Sequence, residues 1–271
     1  MTNPRILLEH YEIVPKKSLG QNFLHDPNAL EKIATIAEIM PQDTVLEIGP
    51  GTGALTEVLA QRARHVIAVE VDTRLQPLLE ARLGVYDNVV LMFADILETD
   101  VLKLVGSKPF SVVANLPYYI TSAILRHLLE NYRRPQKLVL TVQEEVAQRL
   151  VARPDDMSLL TVSVQFYGKA RIAMKLNPAV FWPRPDVDSA VVVIETYDRP
   201  SINVPSSEAF FKVVRAGFSQ KRKQLKNALG SGLGLSHEAA AGLLERAGID
   251  PRRRAETVTL EEWAALTRVV G

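Results

Sequence analysis

Between residues 26 and 151 the chain alternates between two hydrophobic patterns. Short unbroken apolar runs rich in Val, Ile and Leu occupy 44–48, 65–71, 89–94, 110–114 and 138–142. Between them, at 54–63, 75–83, 122–131 and 144–151, apolar residues recur at helical spacing. An earlier helix is predicted over 26–39, with Asp26 as N-cap and Pro27 at its first position. Continuous apolar strands separated by helices are the mark of parallel strands buried on both faces. The fold class predicted is therefore α/β, a Rossmann-like doubly wound sheet.

The pattern changes after Met157. Segments 159–166 and 189–197 read as long β-rich runs, and Pro178, Pro183 and Pro185 leave little room for a helix between them. Two late strands pairing antiparallel at the sheet edge fit this arrangement. From Pro205 onward only helical spacing remains, at 207–216, 222–229, 237–247 and 260–269. Asp198-Arg199-Pro200 marks the expected boundary between a domain over 1–200 and a small all-α C-terminal domain over 201–271.

Charge sharpens that division. The chain of 271 residues carries a net charge of only +1. Residues 201–271 hold 11 Lys/Arg against 7 Asp/Glu, a net +4, so the remainder carries −3. Lys212, Arg215, Lys221, Arg222, Lys223 and Lys226 fall in a stretch without an acid, and Arg252-Arg253-Arg254 follows. A basic run is usually a solvated face, but clustering in one small domain favours an anionic partner. The absence of cysteine excludes disulfides and thiolate chemistry. The five histidines are scattered, so no metal site is expected. No apolar run is long enough for a membrane span, and the polar N-terminus with Pro4 and Pro15 does not read as a signal peptide. A cytoplasmic monomer without membrane contact is the expected state.

Candidate chemistry concentrates where the apolar runs end. Asn115-Leu116-Pro117-Tyr118 follows the run at 110–114. An amide oxygen and a free carbonyl can accept both hydrogens of an exocyclic amine while the ring stacks on the base carrying it. The alternative is plain turn chemistry. Glu47-Ile48-Gly49-Pro50-Gly51-Thr52-Gly53 joins the first run to its helix. It matches neither the dinucleotide fingerprint nor a Walker loop, and Glu47 is a poor neighbour for a pyrophosphate. A cationic cofactor without phosphate fits better. Glu70 stands where an acid holds ribose hydroxyls, and Asp95 ends the third run. Each acid alone reads equally as a cap. Together Glu47, Glu70 and Asp95 are expected to converge on one crevice.

Five motifs in register, Gly20-Gln21-Asn22-Phe23-Leu24, Glu47 to Gly53, Asp95, Asn115 to Tyr118 and Phe181-Trp182-Pro183-Arg184-Pro185-Asp186-Val187-Asp188-Ser189, resemble those of the ribosomal RNA adenine dimethyltransferases. Phe218 to Asn227 resembles the C-terminal domain of that family, so the likeness covers nearly the whole chain. Gly20, Leu116 and the full Val-Asp-Ser segment favour its small-subunit branch over the macrolide-resistance methylases of the large subunit. The resemblance implies a class I S-adenosylmethionine-dependent methyltransferase that dimethylates N6 of two adjacent adenosines near the 3' end of small-subunit (16S) rRNA during pre-30S biogenesis. It implies cofactor contacts at Asn22, Leu24, Gly49, Gly51, Glu70, Asp95 and Asn115, with Gln21 closing the pocket. Catalytic roles fall to Asn115, Leu116, Tyr118 and Phe181, the last as a second stacking jaw. For Phe181 the alternative is core packing beside Trp182; for 21–24 it is a helix-entry loop. Lys221, Arg222, Lys223 and Lys226 are expected to bind RNA. Rivals are a non-catalytic assembly or transcription factor on the same fold, a large-subunit or DNA adenine methylase, and an NAD-type oxidoreductase, which lacks its glycine pattern here.

Overall fold

In the computed structural model, which describes residues 3–117 and 119–271, the apolar runs become the strands of one sheet. The strands are β1 (Phe23–Leu24), β2 (Thr44–Ile48), β3 (His65–Glu70), β4 (Val89–Phe93), β5 (Phe110–Asn115), β6 (Lys137–Gln143), β7 (Gly168–Leu176), β8 (Phe181–Trp182) and β9 (Ser189–Thr196). The helices are α1 (Pro4–His10), α2 (Pro27–Ala37), α3 (Ala54–Ala60), α4 (Gln76–Leu83), α5 (Val101–Val105), α6 (Thr121–Leu129), α7 (Glu144–Leu150), α8 (Leu159–Tyr167), α9 (Ser207–Phe218), α10 (Leu225–Leu233), α11 (His237–Arg246) and α12 (Leu260–Val270).

The seven-stranded sheet has the order β4-β3-β2-β5-β6-β9-β7. β2 lies parallel between β3 and β5, β3 is parallel to β4, and β5 is parallel to β6. β9 runs antiparallel to β6 near the sheet edge, and β7 lies outside it as the edge strand. All five residues of β2 are buried, as a central parallel strand requires. The order reverses around β2 and β5, which places a crevice at their carboxyl ends. Asp26 caps α2 as expected, its carboxylate accepting from the Ala29 amide at 2.8 Å. No helix among the described residues is long and apolar enough to cross a membrane.

Segment 159–166, expected as a strand, is the helix α8. Ser158 and Thr161 form a reciprocal cap at its start. Seven of its nine residues are buried, leaving no polar face to betray a helical period. The strand next to β9 is instead β7, whose Lys169, Arg171 and Lys175 obscure it in the sequence. The helix expected from 222 begins at Leu225, after a turn that holds the basic residues. The β1–β8 pair, with Phe23 opposite Trp182 and Leu24 opposite Phe181, was not anticipated. It ties the Gln21-Asn22 segment to the proline-rich one.

The chain divides into two compact units. The first runs up to Ala147 and resumes over Ala170–Thr196. The second comprises Gln148–Lys169 and Tyr197–Gly271. Its centre is aromatic: Phe166 stacks on Phe210 at 4.6 Å, and Trp263 is fully buried. α10 lies directly on α9, since a Cβ on Gly232 would come within 2.6 Å of the Ala216 Cα.

Candidate active site

The loop from β2 to α3 turns through three glycines with left-handed backbone: Gly49 (φ 70°), Gly51 (φ 58°) and Gly53 (φ 80°). At Gly51 the need is double, because a Cβ there would lie 2.8 Å from the Phe23 ring. The loop floors an open cavity of about 210 Å³. Gly20, Gln21, Asn22, Gly49, Gly51, Glu70, Asp95, Asn115 and Leu116 contribute to its walls, with apolar surface from Ile48, Val69, Val71, Ile96 and Leu97. No Lys, Arg or His is among the described residues lining it. The structure thus brings most of the sequence-predicted polar and glycine positions to one crevice.

Glu70 is 5% exposed, and each carboxylate oxygen accepts a backbone N–H: Oε2 from Gly51 at 3.1 Å and Oε1 from Asp72 at 2.9 Å. Burial pushes its pKa up, opposed by those two donors and reinforced by the Asp72 charge. A carboxylate has about four acceptor positions, so capacity remains for two hydroxyl donors. Asp95 is exposed at the cavity lining, and its Oδ1 accepts from the Leu97 amide at 2.8 Å.

Glu47 departs from expectation. It does not line the main crevice but lies 1% exposed beneath the glycine loop, facing a small adjoining pocket with Leu24, Thr52 and Leu55. Its Oε2 has no hydrogen-bond partner among the described residues. Complete burial pushes its pKa up to about 8; the neighbouring Thr56 hydroxyl opposes the shift, and the Glu70 charge adds to it.

Asn115 ends β5. Its Nδ2 donates to the Asn22 carbonyl at 2.9 Å, which fixes the amide's orientation and leaves Oδ1 with no donor among the described residues. The Leu116 amide donates to the Thr141 carbonyl at 3.1 Å, while its own carbonyl receives no described donor. The adjacent Pro117 carbonyl, by contrast, accepts from Ile120 and from the Thr121 hydroxyl. Tyr118 lies outside the described residues. Leu24 meets the smaller pocket, not the main one. Phe181 is not brought to either: its ring is 3% exposed in the core with Leu24, Leu30 and Ile33, the packing position weighed for it in the sequence.

Asp72 was missed. It is 4% exposed and accepts from Gln21 Nε2 at 2.8 Å and from the Arg74 guanidinium at 2.6 Å. Gln21 Oε1 in turn accepts from the Lys16 amide at 2.7 Å, and Arg74 donates to the Val14 carbonyl at 3.1 Å. Gln21 thus clips the arm at 14–22 to the sheet rather than simply facing a ligand. The available signal was an acid two residues after Glu70 with an arginine two further on. Burial alone would raise the Asp72 pKa, but hydrogen bonds from Arg74 and Gln21 outweigh it and hold the group low. Asp72→Ala should weaken cofactor binding about tenfold by freeing the arm, since hydrogen bonds to a charged group are worth about 1.5–3 kcal/mol. Titration calorimetry checks the affinity, and limited proteolysis at 14–20 checks the arm. Because the folded-state pKa is depressed, the clip should hold above pH ~4 and fail as pH falls further.

In the second unit Lys221, Arg222 and Lys223 are exposed in the turn between α9 and α10, and Lys226 is half-buried on α10. None takes part in an ion pair among the described residues, whereas Arg252 pairs with Asp250, Arg253 with Glu262 and Arg254 with Glu256. The Arg253 guanidinium also donates to the Thr257 carbonyl and side chain, which makes it a structural cross-link.

Two similar solved structures are a methyltransferase and a dimethyladenosine transferase. The 23S rRNA methyltransferase ErmE is 29% identical, with a TM-score of 0.71 over 92% of this chain and 99% of its own. A dimethyladenosine transferase from Plasmodium falciparum is 26% identical, with a TM-score of 0.75 over 90% and 95%. A sheet of this order with its crevice beside a glycine loop is that of a class I methyltransferase. The protein belongs to the ribosomal RNA adenine dimethylase family, whose model matches residues 14–270. A relative from Dehalococcoides mccartyi, "Ribosomal RNA small subunit methyltransferase A", is 45% identical over 270 residues, 99% of this chain and 93% of its own.

Proposed function

We propose that the protein transfers methyl groups from S-adenosylmethionine to N6 of two adjacent adenosines near the 3' end of small-subunit rRNA, acting on the pre-30S particle in the cytoplasm as a monomer. The observation that carries this reading is the pair of acceptors, Asn115 Oδ1 and the Leu116 carbonyl, which have no donor among the described residues and stand at the wall of a cavity whose described lining holds no Lys, Arg or His. The donor set fits the cofactor: acids and glycines for a cationic, hydroxyl-bearing group, apolar walls for a base, and no cationic side chain among the described lining residues. Glu70 would accept from the ribose hydroxyls and Asp95 from the adenine amine, with Asn22, Gly49 and Gly51 against the remainder. Glu47 and Leu24 support the loop from below.

When bound, the cofactor supplies a methyl group already activated by its sulfonium. Adenine N6 is a poor nucleophile because its lone pair is delocalised into the ring. Asn115 Oδ1 and the Leu116 carbonyl accept the two N6 hydrogens, draw the nitrogen toward tetrahedral geometry and aim its lone pair at the methyl carbon. Both acceptors would stabilise the positive charge that grows on N6 as it takes up the methyl group. The proton then leaves to water. Tyr118 stacks on the target base, and Phe181, buried across from Leu24, supports that wall. The test is incubation with labelled cofactor and undermethylated small subunits, with large subunits in parallel, followed by mapping of nucleosides. Label on large-subunit RNA, or none, overturns the reading. The small-subunit name of the Dehalococcoides relative favours this substrate over that of ErmE.

The basic turn supplies the RNA affinity in this reading. Reversing Lys221, Arg222, Lys223 and Lys226 to Glu should lower RNA affinity at least a hundredfold at low salt. It should flatten the slope of log K against log salt by about 3–4, near 0.9 for each phosphate no longer neutralised. Cofactor affinity should not change; its loss would assign the cluster to folding.

A further inference from the structure

The rim of the crevice carries an aromatic ring that none of the roles above uses. Tyr119 is 59% exposed, yet it also lines the cavity beside Leu19, Pro117 and Ile120. One side of it rests on the backbone of Gly20, where a Cβ would stand 3.4 Å from Tyr119 Cδ1 and 3.5 Å from the Pro117 Cβ. Gly20 has left-handed backbone (φ 58°), so the contact is built from a residue suited to that turn. The ring is therefore supported from behind and open to solvent in front.

A large ring held half in water at the mouth of a site is informative when the mouth has no cation. No lysine or arginine among the described residues lines this cavity, so its lining offers an RNA strand no charged phosphate contact. Stacking is the contact that remains, and it tolerates any base. A nucleotide whose base enters the crevice leaves its neighbour in the strand at the rim, within reach of Tyr119. We infer that Tyr119 is a stacking platform for the nucleotide adjoining the target adenosine. This rests on the RNA reading above and adds a determinant for how the strand is held. Because two adjacent adenosines are the proposed targets, the base on Tyr119 is in one of the two reactions the second target itself.

The experiment uses the full chain with S-adenosylhomocysteine and a hairpin from the 3' end of small-subunit rRNA, either intact or abasic next to the target. Tyr119→Ala should weaken binding of the intact hairpin five- to hundredfold, Tyr119→Phe less than twofold. The abasic hairpin should bind wild type as weakly as the intact one binds Tyr119→Ala, with no further loss in the variant. Cofactor affinity should be the same throughout. Equal loss on both hairpins, or loss of cofactor affinity with RNA binding intact, overturns the inference. If wild type does not distinguish the hairpins but still methylates small subunits, the inference alone fails. If it methylates no small subunit, the proposed function fails with it.

Discussion

Asn115→Ala is expected to lower kcat for methyl transfer by about two to three orders of magnitude, the usual cost of removing one preorganised polar group from a developing charge. The protein should still fold, because Asn115 is only half-buried at a strand end and its backbone pairing with Thr141 does not depend on its side chain. Ala removes two things at once: the Oδ1 acceptor and the bond from Nδ2 to the Asn22 carbonyl. Asn115→Asp separates them. It keeps an oxygen facing the substrate but sets a carboxylate against the Asn22 carbonyl, so the arm should loosen as much as in Ala or more. Cofactor affinity should therefore fall in both variants, while kcat at saturating cofactor recovers in Asp about tenfold over Ala, since an acceptor for N6 remains. Equal kcat in the two variants would assign Asn115 to anchoring the arm and remove it from the chemistry.

Much of this crevice was legible because a parallel sheet turns order along the chain into order along an edge. Glu70, Asp95 and Asn115 each stand at or just beyond the end of an apolar run, and the ends of parallel runs share one side of the sheet. Gly49 and Gly51 both adopt left-handed backbone, and at Gly51 the Phe23 ring also leaves no room for a Cβ, a contact the sequence did not disclose. The arm motif 20–24 was legible only by resemblance, because its place over the cavity depends on long-range bonds such as that between Gln21 and Asp72.

The departures have physical causes of the same kind. α8 reads as a strand because Leu, Val, Thr, Phe and Tyr packed on all sides carry no helical period, and the Ser158–Thr161 cap is a two-residue signal inside an apolar stretch. Phe181 stands beside prolines in a segment that looks solvent-facing, yet its pairing with Leu24 across β1 and β8 turns it inward. Glu47 precedes the last residue of β2, so the two-residue period of a strand sends its side chain to the sheet face under α3 and not to the edge.

That placement makes Glu47 the source of a stability change with pH. The folded protein keeps it protonated up to about 8, whereas the unfolded chain releases the proton above its ordinary value of 4.5. Between those pH values the folded state holds the extra proton, so stability falls as pH rises and levels off above 8. The interval corresponds to about 4–5 kcal/mol, since each pH unit between the two values is worth about 1.36 kcal/mol. Glu47→Gln is nearly isosteric and cannot ionise, so it removes this slope. The variant should melt near the wild-type temperature at pH 4.5 and well above it at pH 8.5, by about 10 °C at roughly 2–4 °C per kcal/mol. The control is Glu70→Gln, which should not reproduce the gain: Glu70 already accepts two backbone N–H groups, and an amide nitrogen would face one of them. Melting curves for wild type and Glu47→Gln that stay parallel from pH 4.5 to 8.5 would show that Glu47 is ionised beneath the loop.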